Sequence, residues 1–182
     1  MNDRLQAIRN KMTGLNLQGM IIAKPENIRY LTKIDAEGIL LITRKENIFI
    51  TDGRYIEHVS GTLTPFDEIV VDDKKNISKE EYENFFLFCE NVGFEEAFLT
   101  YAKYKEYIRK FKINNFVEAE EILVSLRLVK DAEEIACLKK ACEITDKCFD
   151  LLKSTIKPGM TEKQIARQIQ DFYRDNSERR SI

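Results

Sequence analysis

The sequence predicts an α/β fold, with a mixed β-sheet flanked by helices, followed by a C-terminal segment that is helical throughout. Three observations predict it. Helical apolar periodicity and short β-rich runs alternate over the first two thirds of the chain. Two of the β-rich runs are separated by a loop of hairpin length, which makes part of the sheet antiparallel. After Asn115-Phe116-Val117 no strand pattern returns.

The elements follow in chain order. Leu5, Ile8, Met12 and Leu15 recur at helical spacing, so a first helix spans Asn2 to Leu15. Gly19-Met20-Ile21-Ile22-Ala23 reads as a short buried strand closed by Pro25. Ile39–Thr43 and Ile48–Thr51 form the hairpin around Arg44-Lys45-Glu46-Asn47, and a helix follows Gly53. Glu68-Ile69-Val70-Val71 is a further strand, with weaker candidates at Val92-Gly93-Phe94 and Asn115-Phe116-Val117. Ser78 with Glu81, Asp131 with Glu134, and Thr161 with Gln164 place capping oxygens three residues before reciprocal partners. Leu99-Thr100 opens another helix, striped by Tyr101, Tyr104, Ile108 and Phe111.

The last third differs in kind. From Asp131 to Ile156, one apolar stripe runs through Ile135, Leu138, Cys142, Thr145, Phe149, Leu152 and Ile156. Cys137, Ala141, Ile144, Cys148 and Leu151 make a second, adjacent one. A helix resting on one surface needs a single stripe, so two stripes imply burial on two sides. With one stripe uncovered, self-association through Cys137, Ile144, Cys148 and Leu151 is expected. The domain division is expected at residues 1–126 and 127–182.

Composition excludes several classes. The chain has 182 residues, 43% of them hydrophobic, which is enough to bury a core without a disulfide or metal staple. Lys+Arg 29 against Asp+Glu 31 gives a formal charge of -2, which argues against nucleic acid as a partner. No apolar run approaches the ~20 residues of a membrane span, so no membrane partner is expected either. Met1-Asn2-Asp3-Arg4 does not open a signal peptide, and four cysteines without paired spacing suit reduced thiols; a cytoplasmic location is expected.

Candidate chemistry is sparse. His58 is the only imidazole and has no visible partner, which favours a structural or solvent-facing role. Cys137, Cys142 and Cys148 fall on both apolar stripes and read as core thiols rather than metal ligands. Acid pairs, including Asp72-Asp73, Glu95-Glu96 and Glu120-Glu121, lie at turns or helix starts, where solvent and the helix dipole account for them. Lys105, Arg109 and Lys112 make a solvated basic face, and the glycines lack phosphate-loop spacing. These residues assemble no self-sufficient active site, and no cofactor is expected in this chain.

Five motifs in order carry a resemblance. They are Pro25-Glu26-Asn27-Ile28-Arg29-Tyr30-Leu31-Thr32, Thr51-Asp52-Gly53-Arg54-Tyr55, Leu99-Thr100-Tyr101-Ala102-Lys103-Tyr104, Arg127-Leu128-Val129-Lys130-Asp131-Ala132-Glu133-Glu134-Ile135 and Lys157-Pro158-Gly159-Met160-Thr161-Glu162. The first three resemble segments of the creatinase/prolidase N-terminal domain. The fourth is similar to the linker into the pita-bread metallopeptidase domain, and the fifth to the turn between that domain's first two helices.

The resemblance implies a three-layer, ribonuclease-H-like N-terminal domain and the opening helices of a truncated catalytic domain. It implies a parent that is a metal-dependent Xaa-Pro aminopeptidase or dipeptidase, acting on Xaa-Pro peptides as a homodimer with two divalent metals (Mn, Co or Zn). The family's ligands, two aspartates, one histidine and two glutamates, lie beyond the Pro-Gly-Met-Thr-Glu turn, so none carries over to a residue here. The implied role is dimerisation and shaping of the partner's substrate entrance, with the catalytic domain missing in cis. Lys33-Ile34-Asp35-Ala36-Glu37 departs from the family's Gly-rich continuation, and Asp35 and Glu37 are the candidates for a loop at the partner's active site. The polar Asn176–Ile182 end is a second departure.

Two other classes compete. A stand-alone protein-interaction module would use the double-striped helix. A metal-dependent nuclease would need carboxylates converging on the sheet; Asp52 and Asp72 follow strands, but the strand interiors carry no acid.

Overall fold

A computed structural model describes residues 3–60, 68–71 and 84–176. The Ser78–Glu81 capping pair and Asp72 lie outside the described residues. The chain forms two compact units, Met1–Val129 and Lys130–Ile182, so the expected division after residue 126 falls inside a helix, Glu120–Leu128.

The first unit is built on a six-stranded mixed sheet. In chain order its elements are α1 (Asp3–Gly14), β1 (Gly19–Ile22), α2 (Pro25–Thr32), β2 (Gly38–Thr43), β3 (Asn47–Thr51), α3 (Ile56–Ser60), β4 (Glu68–Val71), β5 (Asn91–Phe94), α4 (Tyr101–Lys110), β6 (Asn115–Glu118) and α5 (Glu120–Leu128). Strands lie in the order β4-β3-β2-β1-β5-β6. Antiparallel β1/β2 and β2/β3 pairs sit among parallel β3/β4, β1/β5 and β5/β6 pairs.

Alternation along the central strands explains why they read as continuous apolar runs: both faces are covered. Met20, Ile22, Leu40, Ile42 and Phe49 enter one core with Leu5, Ile8 and Met12 of α1, Ile28 and Leu31 of α2, and Ile122 and Leu123 of α5. Ile21, Leu41, Ile48 and Ile50 enter the other with Phe86, Tyr107 and Phe111. The result is the expected three-layer sandwich.

The hairpin turn is closed by Thr43, whose Oγ1 accepts from the Glu46 N–H at 3.1 Å while its own N–H donates to Glu46 O at 2.8 Å. Thr100 caps α4, accepting from Lys103 N.

One helix was not foreseen. Pro25, read as closing β1, instead occupies the first turn of α2, where its fixed φ suits a helix start. The helix ends on Lys33 in the left-handed region, φ 61. Lys24 at its N-cap supplies no side-chain cap.

The second unit is an αα-hairpin of α6 (Ala132–Thr155) and α7 (Glu162–Asn176). Asp131 and Glu134 form the expected reciprocal box, as do Thr161 and Gln164. The contact face of α6 is neither of the two stripes read from sequence. Thr145 meets Tyr173, Thr155 Oγ1 donates to Gln168 Oε1 at 3.0 Å, and Cys148 between them is buried. Thr145, Cys148, Leu152 and Thr155 follow 3-4-3 spacing, a line lying between the two stripes and drawing on both. No described helix is long and apolar enough to cross a membrane.

Candidate functional site

The strand directions collect chemistry at one edge of the sheet. β1, β3, β5 and β6 all end there, and β2 begins there. The carboxyl ends of parallel strands are where α/β sheets usually carry their sites. Two polar clusters occupy this edge in the first unit.

The inner cluster centres on Glu95, just past β5. It is 2% exposed, so the expectation that solvent accounts for this acid is wrong. Its Oε2 accepts from the backbone N–H groups of Ala23 and Lys24, at 2.7 and 2.9 Å. Its Oε1 accepts from Asn27 Nδ2 at 2.5 Å. A buried carboxylate here lets Lys24 enter α2 without a local cap, because Glu95 satisfies the backbone donors and puts negative charge at the helix start. Burial pushes the Glu95 carboxyl above its ordinary range, outweighing its three hydrogen bonds, and nearby Glu120 adds to the rise.

Asn27 carries the cluster onward. Its Oδ1 accepts from Arg127 Nη1 at 2.8 Å, in the last turn of α5. Tyr30 Oη donates to Leu126 O at 3.0 Å, and Arg4 Nη1 donates to Tyr30 O at 2.7 Å. Helices α1, α2 and α5 are thereby joined by polar bonds above their apolar core. Glu96 and Glu120 complete the edge: Glu96 Oε2 accepts from the N–H groups of Ala119 and Glu120, and Glu120 Oε2 from Ala97 N. The dipole reading of these two acids is correct, since they sit at the start of α5.

The outer cluster holds Asp35 and Glu37. Ile34 and Ala36 point into the core while Asp35 and Glu37 alternate outward, as in an extended segment. Neither acid stands alone: Arg29 is 3.9 Å from Asp35 and Arg54 3.5 Å from Glu37. Arg54 is held mainly by Asp52, at 2.6 Å through Nη2, and its backbone N–H donates to Asp52 Oδ1. That guanidinium holds the Asp52 carboxyl below its usual range.

Other candidates are dispersed. His58 is exposed on α3. Cys137 and Leu151 are exposed, Ile144 is half-buried and Cys148 is buried, so Cys148 cannot face a partner in this state. The largest exposed apolar side chains of α6 belong instead to the first stripe, with Phe149 at 63% and Leu138 at 53%. Burial pushes the Cys89 thiol up, away from nucleophilic use.

The divalent metals that the resemblance implies for a full-length parent have no candidate ligand group among the described residues. Among the described residues no group of three His, Cys, Asp or Glu side chains could hold an ion. The oxygens of Glu95 and Asp52 are already committed to protein donors.

Sequence reasoning missed the Glu95–Asn27–Arg127 chain. Asn27 and Arg127 both lie in motifs that carried the resemblance, but they are 100 positions apart and nothing local pairs them. The available signal was an acid directly following a short buried strand.

Comparison with known proteins places these features. Residues 4–129 match the Creatinase/Prolidase N-terminal domain, and residues 136–181 match Metallopeptidase family M24. The chain is 30% identical to the uncharacterized peptidase YqhT of Bacillus subtilis, over 94% of its own length and 48% of that protein's. It is 24% identical to an Xaa-Pro dipeptidase of Pyrococcus horikoshii, over 97% and 49% of the two chains. Among solved structures, an Xaa-Pro dipeptidase from Bacillus anthracis superposes with TM-score 0.84 at 27% identity, over 97% of this chain and 50% of that one. The N-terminal domain of the cytoplasmic peptidase PepQ from Mycobacterium tuberculosis shares the fold, with TM-score 0.60 at 21% identity, over 69% and 99%. The chain spans about half the length of the curated relatives it matches.

Proposed function

We propose that this chain, which belongs to the Creatinase/Prolidase N-terminal domain family through residues 4–129, serves as the non-catalytic part of a metal-dependent Xaa-Pro aminopeptidase or dipeptidase. Its work is to dimerise and to shape the substrate entrance of its partner, in the cytoplasm. The observation that carries this reading is the succession of two matches, the second to Metallopeptidase family M24, in a chain whose described carboxylates form no metal site. The exposed acids Asp35 and Glu37, on a segment whose alternate residues anchor in the core, suit a loop offered to a second molecule. Two divalent metals, Mn, Co or Zn, belong in this reading to the full-length parent.

The test is turnover. Purified chain supplied with Mn²⁺, Co²⁺ or Zn²⁺ should leave both Xaa-Pro dipeptides and longer Xaa-Pro peptides uncut. Metal-dependent cleavage that survives repurification would overturn the non-catalytic reading.

The exposed apolar side chains of α6 favour a second reading, a stand-alone protein-interaction module. Sedimentation with affinity capture separates the two: a chain that self-associates but captures no other protein argues against the module.

A further inference from the structure

β6 is the last strand of its sheet, and only one of its edges is paired, to β5. At the end of that ladder the Ala119 N–H donates to Phe94 O. In a parallel pair alternate residues of a strand face its neighbour, so Asn115 and Val117 turn toward β5 with Ala119. Phe116 and Glu118 therefore aim both N–H and C=O away from the sheet. Among the described residues nothing donates to or accepts from those backbone groups.

The outer edge is open to approach. Asn115 and Glu118 are exposed, and Phe116 and Val117 are half-buried. The helices on either face pack inboard of the strand: Ile122 and Leu123 of α5 join α1 and the central strands, and Tyr107 and Phe111 of α4 join Ile21, Leu41 and Val92. β6 carries no proline, lysine or bulge, the usual guards of a free edge. Phe116 is held against Phe94 and Tyr104, with ring centroids 4.3 and 5.3 Å away, so the strand is ordered before anything pairs with it.

Charge is polarised along this edge. Arg109, Lys110 and Lys112 immediately precede β6. Glu118 closes it, and Glu96 and Glu120 gather at the same end, where Glu96 accepts from the N–H groups of Ala119 and Glu120. An edge with a basic start and an acidic finish matches its own reverse. Laid antiparallel, the basic start of one copy meets the acidic finish of another.

We propose that β6 pairs antiparallel with β6 of a second copy of this chain, about a two-fold axis through Val117. The same patch then serves both copies, and the contact closes. That axis sets Phe116 opposite Glu118 of the second copy, and the outward N–H groups of each chain donate to the outward C=O groups of the other. An axis through Glu118 would oppose two carboxylates directly, which destabilises a strand pair. An axis through Phe116 would call on Asn114, which lies outside the strand. So short an edge holds weakly, and the pairing forms at concentrations above those at which sedimentation weighs the α6 contact. It requires nothing of a parent peptidase.

Cross-linking reads the register. In a chain with Cys137→Ser and Cys142→Ser, which removes the exposed thiols, Val117→Cys sets two new thiols across the axis. Their Cα atoms would lie about 4.5 Å apart, within disulfide reach. Glu118→Cys sets them diagonally, roughly 7–8 Å apart and beyond it. Under copper–phenanthroline oxidation Val117→Cys should run as a covalent dimer and Glu118→Cys as monomer, although position 118 is the more exposed. No dimer from Val117→Cys, or equal dimer from both, overturns the pairing. If Val117→Cys fails to fold, the wild-type chain decides by amide exchange in NMR. The Phe116 and Glu118 amides should exchange more slowly as the chain is concentrated, with β1 and β2 unchanged, and Arg109→Glu with Lys112→Glu should abolish that slowing. Exchange that ignores chain concentration overturns the pairing and leaves the edge to a foreign strand.

Discussion

Asn27 Nδ2 and Glu95 Oε1 lie 2.5 Å apart although 68 positions separate them in the chain. Asn27 stands inside α2, the helix that local sequence signals did not announce, and Glu95 supplies the capping charge that Lys24 does not. The edge of the sheet where β1, β3, β5 and β6 end is therefore organised around one buried acid.

Removing that acid should be costly. Glu95→Ala strands the N–H groups of Ala23 and Lys24 and the Asn27 amide in a buried site, at about 1–3 kcal/mol for each unsatisfied donor that water cannot reach. A loss of roughly 2–5 kcal/mol in urea unfolding is expected. A loss below 1 kcal/mol would mean that water replaces the carboxylate.

Glu95 should also set a pH dependence of unusual sign. Its carboxyl titrates higher in the folded chain than in the unfolded one, so the folded state takes up a proton first. Stability relative to Glu95→Gln should rise as pH falls from neutral through the folded value, and level off below 4.5, the ordinary value. Urea midpoints of both chains measured between pH 7 and pH 4 check this. A wild-type midpoint that falls relative to that of Glu95→Gln on acidification contradicts it.

Asp52 should behave oppositely despite its short contact with Arg54. Both side chains are solvent-exposed, so the pair is screened and contributes little. Asp52→Asn should leave the unfolding midpoint unchanged within error. The same variant addresses nuclease activity: Mg²⁺-dependent cleavage of nucleic acid by wild type that disappears in Asp52→Asn would restore that reading.

Gly38 opens β2 where a side chain has no room. A Cβ there would press on the Ile50 backbone oxygen and the Phe49 ring, both fixed by the β2/β3 ladder. Gly38→Ala should destabilise by about 1–3 kcal/mol, the usual range for overpacking. A neutral result by thermal unfolding would show that the strand start yields.

The expected self-association through α6 is tested stripe by stripe. The sequence points to Cys137, Ile144, Cys148 and Leu151, whereas exposure favours Leu138 and Phe149. We expect Leu138→Glu with Phe149→Glu to give monomer by sedimentation, and Ile144→Glu with Leu151→Glu to have the smaller effect. The reverse order would return the contact to the second stripe.

Much of the fold was legible because its signals are local. Asp131 and Thr161 announced two helices through capping chemistry contained within four residues, and α4 was announced by its apolar stripe after Leu99-Thr100. The hairpin was visible because loop length and β-branched runs are read directly from neighbours. α2 was not, because its start is capped from β5, and neither was the face of α6 that meets α7, because two apolar stripes leave its rotation open.

The sequence by itself determined most of the strands and helices, α2 excepted, and through its motif order the three-layer class and the family, since these follow from periodicity, caps and the order of local motifs. Tertiary structure alone decided that Glu95 is buried while Asp35, Glu37 and Asp52 remain at the surface. The physical reason is that an acid's environment is set by the elements folded over it: α2 closes over the end of β5, whereas the loops after α2 and β3 keep their carboxylates in water.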